Sequence, residues 1–169
     1  LLTIRKQGID MTAKYTVIDS QVLATSAASV TFSSIPGGYK DLVLVTDTIT
    51  VSGAAAYYTR FNSDTGSNYS TVGMYGNGTS GVSNNTTANY FDLQGFAIAS
   101  TSRSLVLMNI MDYSATDKHK TVLTRANRPD SSVYGGAGRW ANTNAITSIA
   151  VSASSNFAAG STFRLLGVN

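Results

Sequence analysis

The feature that most constrains this chain is a side-chain period of two, with no convincing stretch at the 3.6-residue period of a helix. In the run Ala28-Ser29-Val30-Thr31-Phe32-Ser33, Val30 and Phe32 point one way and Ser29, Thr31 and Ser33 the other, the pattern of a strand with one wet face. Pro36-Gly37-Gly38 stops it, because proline lacks a backbone donor and glycine accepts positive φ. Further strands are expected over residues 15–24, 56–62, 89–99, 120–126, 145–153 and 161–168. Turn clusters punctuate them, among them Asn62-Ser63-Asp64-Thr65-Gly66, Asn77-Gly78 and Tyr134-Gly135-Gly136. Many short strands without a repeat predict an all-β fold, a single antiparallel β-sandwich of jelly-roll type. The low-complexity stretch 76–88 is too polar for a core and is expected as an exposed loop at one tip.

Two runs break the simple alternation. Residues 41–51, Asp-Leu-Val-Leu-Val-Thr-Asp-Thr-Ile-Thr-Val, start apolar on both faces, and residues 105–111, Leu-Val-Leu-Met-Asn-Ile-Met, are likewise apolar on both. A strand in a two-sheet domain should be dry on one side only, so something must cover the second side. With no helix to do so, contact between copies is the simplest cover, and a symmetric homo-oligomer its usual form. The interface expected on this basis comprises Leu42, Leu44, Leu105, Leu107 and Met111. Residues 14–169 are read as the sandwich and residues 1–13 as an N-terminal extension or arm, because the strand pattern begins only after Met11. They are either a frayed leader or an arm; as an arm, ten extended residues reach about 33–36 Å, enough to cross onto a neighbour, which adds Ile4 and Arg5 to the interface set.

Composition narrows the chemistry. Of 169 residues, 70 are Ser, Thr, Asn or Gly, while Glu and Cys are absent, which removes disulfides, thiolate zinc sites and half the usual acid–base carboxylates. Only 12% of residues are charged against roughly 25% in an average soluble protein, so hydroxyls and amides wet the surface, as suits a chain packed in an assembly. The cations behind the +3 net charge are scattered, concentrating only at Arg5-Lys6, Lys118-His119-Lys120 and Arg125/Arg128, which argues against nucleic acid. No run approaches the ~20 apolar residues of a membrane span, and Arg5-Lys6-Gln7 directly follows Leu1-Leu2-Thr3-Ile4, unlike a signal peptide.

The constellations that could carry catalysis are thin. His119, the sole histidine, lies between two lysines that disfavour its imidazolium, and Asp112 and Asp117 read as a strand end and turn rather than triad members. A glycosidase pair would have to come from Asp41, Asp47 and Asp92, whose spacing does not require a common groove. Asn62-x-Asp64-x-Gly66-x-Asn68 has the alternating oxygens of a calcium loop but lacks the closing bidentate acid, since position 73 is Gly, and reads better as an Asx-bonded turn. The chain is therefore expected to be non-enzymatic, without cofactor or metal. Binding offers the other route. Trp140 and nine tyrosines could stack on sugar faces, Tyr57-Tyr58, Tyr69, Tyr75 and Tyr90 clustering in the loop-rich middle, although core and interface packing is the plainer use. Acceptor patterns at Asn68, Asn77, Asn84 and Asn85 arise by chance in a chain this rich in Asn, Ser and Thr.

Five blocks carry a family resemblance: Tyr15-Thr-Val-Ile-Asp-Ser-Gln-Val-Leu, Ala28-Ser-Val-Thr-Phe-Ser-Ser-Ile-Pro, Tyr39-Lys-Asp-Leu-Val-Leu-Val, Arg60-Phe-Asn-Ser-Asp-Thr-Gly-Ser-Asn-Tyr-Ser and Ala159-Gly-Ser-Thr-Phe-Arg-Leu-Leu-Gly. Together they resemble small virion structural proteins of tailed bacteriophages, the Arg60 block being the most distinctive. The resemblance implies a phage particle, with members placed variously on the capsid as decoration and on tail appendages. The doubly apolar strands and the arm suit a capsid decoration, or cement, protein that bridges capsomers. The absence of a heptad-bearing shaft points the same way. The expected partners are further copies of the chain, as a homotrimer, and the major capsid protein. The alternative is a tail-fibre or tail-tip domain binding a host surface glycan through Tyr75, Asn77, Asn84, Asn85 and Tyr90.

Overall fold

The computed structural model describes residues 14–169, the side chain of Gln94 excepted. The expected arm, with Ile4 and Arg5, lies outside the described residues. Twelve strands form the regular structure: β1 (Tyr15–Val22), β2 (Ala27–Phe32), β3 (Asp41–Thr48), β4 (Ala55–Phe61), β5 (Tyr69–Gly76), β6 (Gly81–Ala88), β7 (Phe91–Ile98), β8 (Ser104–Met111), β9 (Lys120–Arg128), β10 (Ser132–Trp140), β11 (Ile149–Phe157) and β12 (Thr162–Val168). They make two antiparallel sheets, a large one ordered β1-β12-β3-β8-β9-β10-β5-β6 and a small one ordered β2-β11-β4-β7. If the hairpins β5–β6 and β9–β10 are set aside, β1-β12-β3-β8 faces β2-β11-β4-β7, the strand order of an eight-stranded jelly roll. The expected sandwich is thus the observed one, widened on one sheet by two inserted hairpins.

Alternation sets what lies between the sheets. In β4, Ala55, Tyr57, Thr59 and Phe61 are buried while Ala56, Tyr58 and Arg60 stay half-exposed. Phe61 from β4 and Phe91 from β7 meet Tyr69 from β5 and Trp140 from β10, with ring centroids 5.0 to 6.3 Å apart and largely edge-to-face. The cluster therefore ties both inserted hairpins to the small sheet.

The structure departs from the sequence reading in the middle of the chain. Residues 76–88 are not a loop. Only the turn from Asn77 to Ser80 is, with Gly78 at φ +85° and the Asn77 carboxamide accepting from the Thr79 and Ser80 amides, while β6 runs on as an edge strand paired to β5. Tyr134-Gly135-Gly136 is not a turn but the heart of β10. The glycines there and on neighbouring β5 make room for rings: a Cβ on Gly136 or on Gly73 of β5 would stand 2.3 Å from the Tyr134 hydroxyl oxygen, and one on Gly138 would stand 2.5 Å from Phe91. Each ring lies against backbone that carries no side chain, so a glycine-rich strand still buries apolar surface.

The distinctive block 60–70 is a fold-holding turn. Asp64 accepts from the Gly66 amide at 2.8 Å, the Asn68 carboxamide at 2.9 Å and the Trp140 indole at 2.8 Å. Asn62, at φ 50°, reaches across to residues 145–148 through the Ala145 carbonyl and the Thr147 and Ser148 amides. The Asx-bonded turn is what the spacing encodes. Partial burial, the largest single influence on Asp64, would raise its pKa, but the donors of Asn68, Gly66, Trp140 and Asn142 together hold it below the ordinary value.

A carboxylate depressed in the folded state adds stability that is complete above its unfolded pKa and is lost as pH falls through the folded one. Asp64→Asn should therefore lower the melting midpoint at pH 7 by roughly 2–4 °C, the effect of about 1 kcal/mol. Thermal melts of both proteins from pH 7 to 2 should show the gap closing at the acid end. A gap independent of pH would mean that the Asp64 charge plays no part.

Candidate functional site

The register of the large sheet sets one residue from each strand in a single row on its outer face: Val17, Leu166, Val43, Asn109, Leu123, Ala137, Val72 and Asn85. At the usual strand separation this row is about 34 Å long. A second row runs beside it through Val45, Leu107, Arg125, Gly135 and Met74. Leu105, Leu123, Val72 and Met74 are exposed by 43, 45, 57 and 66%. Shallow depressions of about 240 and 340 Å³ lie between them, one lined by Leu107, Asn109 and Leu123, the other by Val72, Met74 and Ala137. Asn109 Oδ1, within the first row, is buried without a hydrogen-bond partner. A buried acceptor left unpaired is costly.

The expected interface set divides on this geometry. Leu105, Leu107 and Met111 lie on the outer face of the large sheet. Leu42 and Leu44 do not: both are fully buried in the core, because β3 sends its even-numbered residues inward and offers Val43 and Val45 outside. Val43 is itself only 6% exposed, sheltered in register between Leu166 and Asn109. The second side of β3 is thus dried largely by its own neighbours, and the open apolar surface sits further along, on β8, β9, β10 and β5. Val72, Met74 and Val133 went unnoticed because β5 and β10 do not read as strands. Leu123 belongs to the expected strand 120–126, and the structure turns it outward.

The second candidate set does not converge on one place. Tyr75 is half-buried, its ring against Gly95 and the core. Asn77 caps its turn, and Asn84 and Asn85 occupy opposite faces of edge strand β6. Tyr90 turns to the outer face of the small sheet, where its ring stands 4.4 Å from that of Tyr58 and 5.9 Å beneath the Arg60 guanidinium. A groove of about 410 Å³ runs from this pair over Ser29, Ala150 and Ser152. Tyr58 is pushed above the ordinary tyrosine range, first by burial and then by Tyr90 and Asp92.

The catalytic candidates stay apart. Asp41 and Asp47 sit at opposite ends of β3, and Asp92 lies in the other sheet, so the three share no groove. Asp47 pairs with Arg103 at 2.9 Å and Asp112 with Lys118 at 3.3 Å, while His119 is exposed between β8 and β9. Lys120 is no surface cation: it is fully buried and donates to the carbonyls of Ala115, Lys118 and Thr143, and its desolvation lowers its pKa. Burial raises Tyr57, Tyr69 and Tyr134 to about 12, which keeps these phenols protonated.

No family model and no curated protein matches this chain. A solved structure of an alginate lyase mutant in complex with an alginate tetrasaccharide is similar at 13% identity and a TM-score of 0.35, over 83% of this chain and 78% of that one. Likeness at that level carries no argument about function.

The two faces of the sheet should separate in energy. Leu44→Ala should cost about 2–5 kcal/mol in urea unfolding, as core truncations do, and Leu107→Ala less than about 1.5 kcal/mol. Equal losses would overturn the assignment of inner and outer positions.

Proposed function

We propose that this chain is a non-enzymatic structural protein of a tailed-phage particle, a capsid decoration (cement) protein that bridges capsomers as a homotrimer and stabilises the shell. The observation that carries the reading is the exposed apolar surface on the outer face of the large sheet, across β8, β9, β10 and β5. A sheet facing only water is normally wetted by polar side chains on that side. Here Val72, Met74, Leu105 and Leu123 stand there instead, and no helix among the described residues covers them. Burying such a face gains about 25 cal/mol per Å² of apolar surface, which a protein partner supplies and solvent does not. Further copies of the chain and the major capsid protein are the partners in this reading, and the virion is its location.

The absence of catalysis is part of the proposal. Its support is the state of the reagents: an exposed lone histidine, aspartates that are paired or dispersed, and buried phenols held protonated. Tail-tip receptor binding is the rival, and the particle itself distinguishes the two.

Sedimentation of the purified chain should show a trimer, and Leu107→Asp combined with Leu123→Asp should give a monomer that still folds. Particles lacking the protein should lose heat and osmotic resistance while adsorbing to cells at the normal rate. Intact shell resistance with lost adsorption would overturn the cement reading in favour of a tail receptor-binding domain.

A further inference from the structure

Two strands of the large sheet have complementary outer shapes, although five strand spacings, about 24 Å, separate them. On β10 the outward positions between Val133 and Arg139 are Gly135 and Ala137, so a trough runs along that strand. Its walls are Leu123 and Arg125 of β9 on one side and Val72 and Met74 of β5 on the other. The depression of about 340 Å³ lies in this trough, floored by Gly73, Gly135, Gly136 and Ala137. Two strand spacings, about 10 Å, separate the walls, which leaves room for the side chains of one further strand.

At the opposite edge β1 presents the converse shape. Tyr15, Val17 and Val22 are 60 to 65% exposed, and Ser20 stands between them after the register shift that follows Val17. No strand lies beyond β1 in its sheet, so these side chains form a ridge open along its outer side. Edge strands are commonly blunted with charge, yet the outward positions of this one carry none.

Ridge and trough stand on the same face of one sheet, so a chain cannot seat its own ridge in its own trough. A second copy can. The simplest other arrangement of two copies, trough against trough, is opposed by charge. Arg125 and Arg139 are exposed on and beside the trough, and neither pairs with a carboxylate among the described residues. Setting two troughs together would bring these guanidiniums against one another, and like charges across an interface are costly. The carboxylates on the outward positions of this sheet, Asp41 and Asp47, belong to β3, on the ridge side, with Arg164 of β12 between them and the ridge. Asp47 is bound to Arg103, so Asp41 is the acid left to face the arginines of a neighbour.

We infer that the β1 ridge of one copy seats in the β10 trough of the next. Such a contact joins two different surfaces, so it is head-to-tail and closes into a ring rather than ending at a pair. The inference rests on the homotrimer of the proposed function and names the two surfaces that join it; it does not require a capsid. Leu123, whose replacement by Asp contributes to the monomeric variant above, is part of the trough wall.

Sedimentation of paired variants tests the contact. Tyr15→Lys with Val17→Lys spoils the ridge, and Val72→Lys with Met74→Lys fills the trough; all four positions are exposed, and melting curves check that each variant is folded. Either variant alone should be a monomer, its self-association weakened at least about tenfold. An equimolar mixture of the two should form pairs of chains, because one intact ridge and one intact trough remain between them. Ser29→Lys, on the other sheet, should assemble as the parent does. A folded ridge variant that assembles like the parent, or a mixture that stays monomeric, would overturn this contact while leaving the homotrimer standing. A monomeric parent would overturn both.

Discussion

One aromatic cluster holds the widened sandwich together. Phe61 and Phe91 come from the small sheet, Tyr69 and Trp140 from the two hairpins that extend the large one, and their rings interlock at 5.0 to 6.3 Å. A jelly roll needs only eight strands, so β5, β6, β9 and β10 would overhang without partners across the core. The cluster supplies those partners. Asp64 then fixes the Trp140 indole from outside the cluster, and the Tyr69 hydroxyl donates to the Phe61 carbonyl at 3.2 Å, so the same turn that carries the distinctive block 60–70 orients two of the four rings.

Glycine is the other half of that arrangement. Gly73 and Gly136 lie opposite one another in register, and together they accommodate the Tyr134 ring. Side chains there would push the ring into the core or the sheets apart. The large sheet can therefore pass over the small one at its extended end only where its strands lack side chains, and this places Tyr-Gly-Gly-Ala-Gly in a strand rather than a turn.

That trade explains which parts of the fold were legible. Strands with ordinary alternation, such as 28–33 and 120–126, declare themselves because each residue answers to its own two neighbours. The strands β5, β6 and β10 do not: β6 is a polar edge strand, and the glycines of β5 and β10 make sense only against the Tyr134 and Phe91 rings. The candidate face suffered from the same gap. Leu105 and Leu107 were readable as a doubly apolar run, but Leu42 and Leu44 were assigned to the wrong side because a strand apolar on both faces does not reveal which one is inside. Val72 and Met74 could not be seen at all until β5 was placed beside β10.

The two outer faces then differ in a way that bears on what each can recognise. The large face is broad, shallow and largely apolar, with Leu105, Leu123, Val72 and Met74 exposed. Such a surface suits a flat protein partner and gives a small solute little to hold. The small face is narrow and stepped, with Ser29, Ser152 and Arg60 set around the Tyr58 and Tyr90 rings. Because the sheets lie back to back, occupying one face leaves the other open. A jelly roll attached through its large sheet would present the Tyr58–Tyr90 groove outward, away from whatever it is attached to.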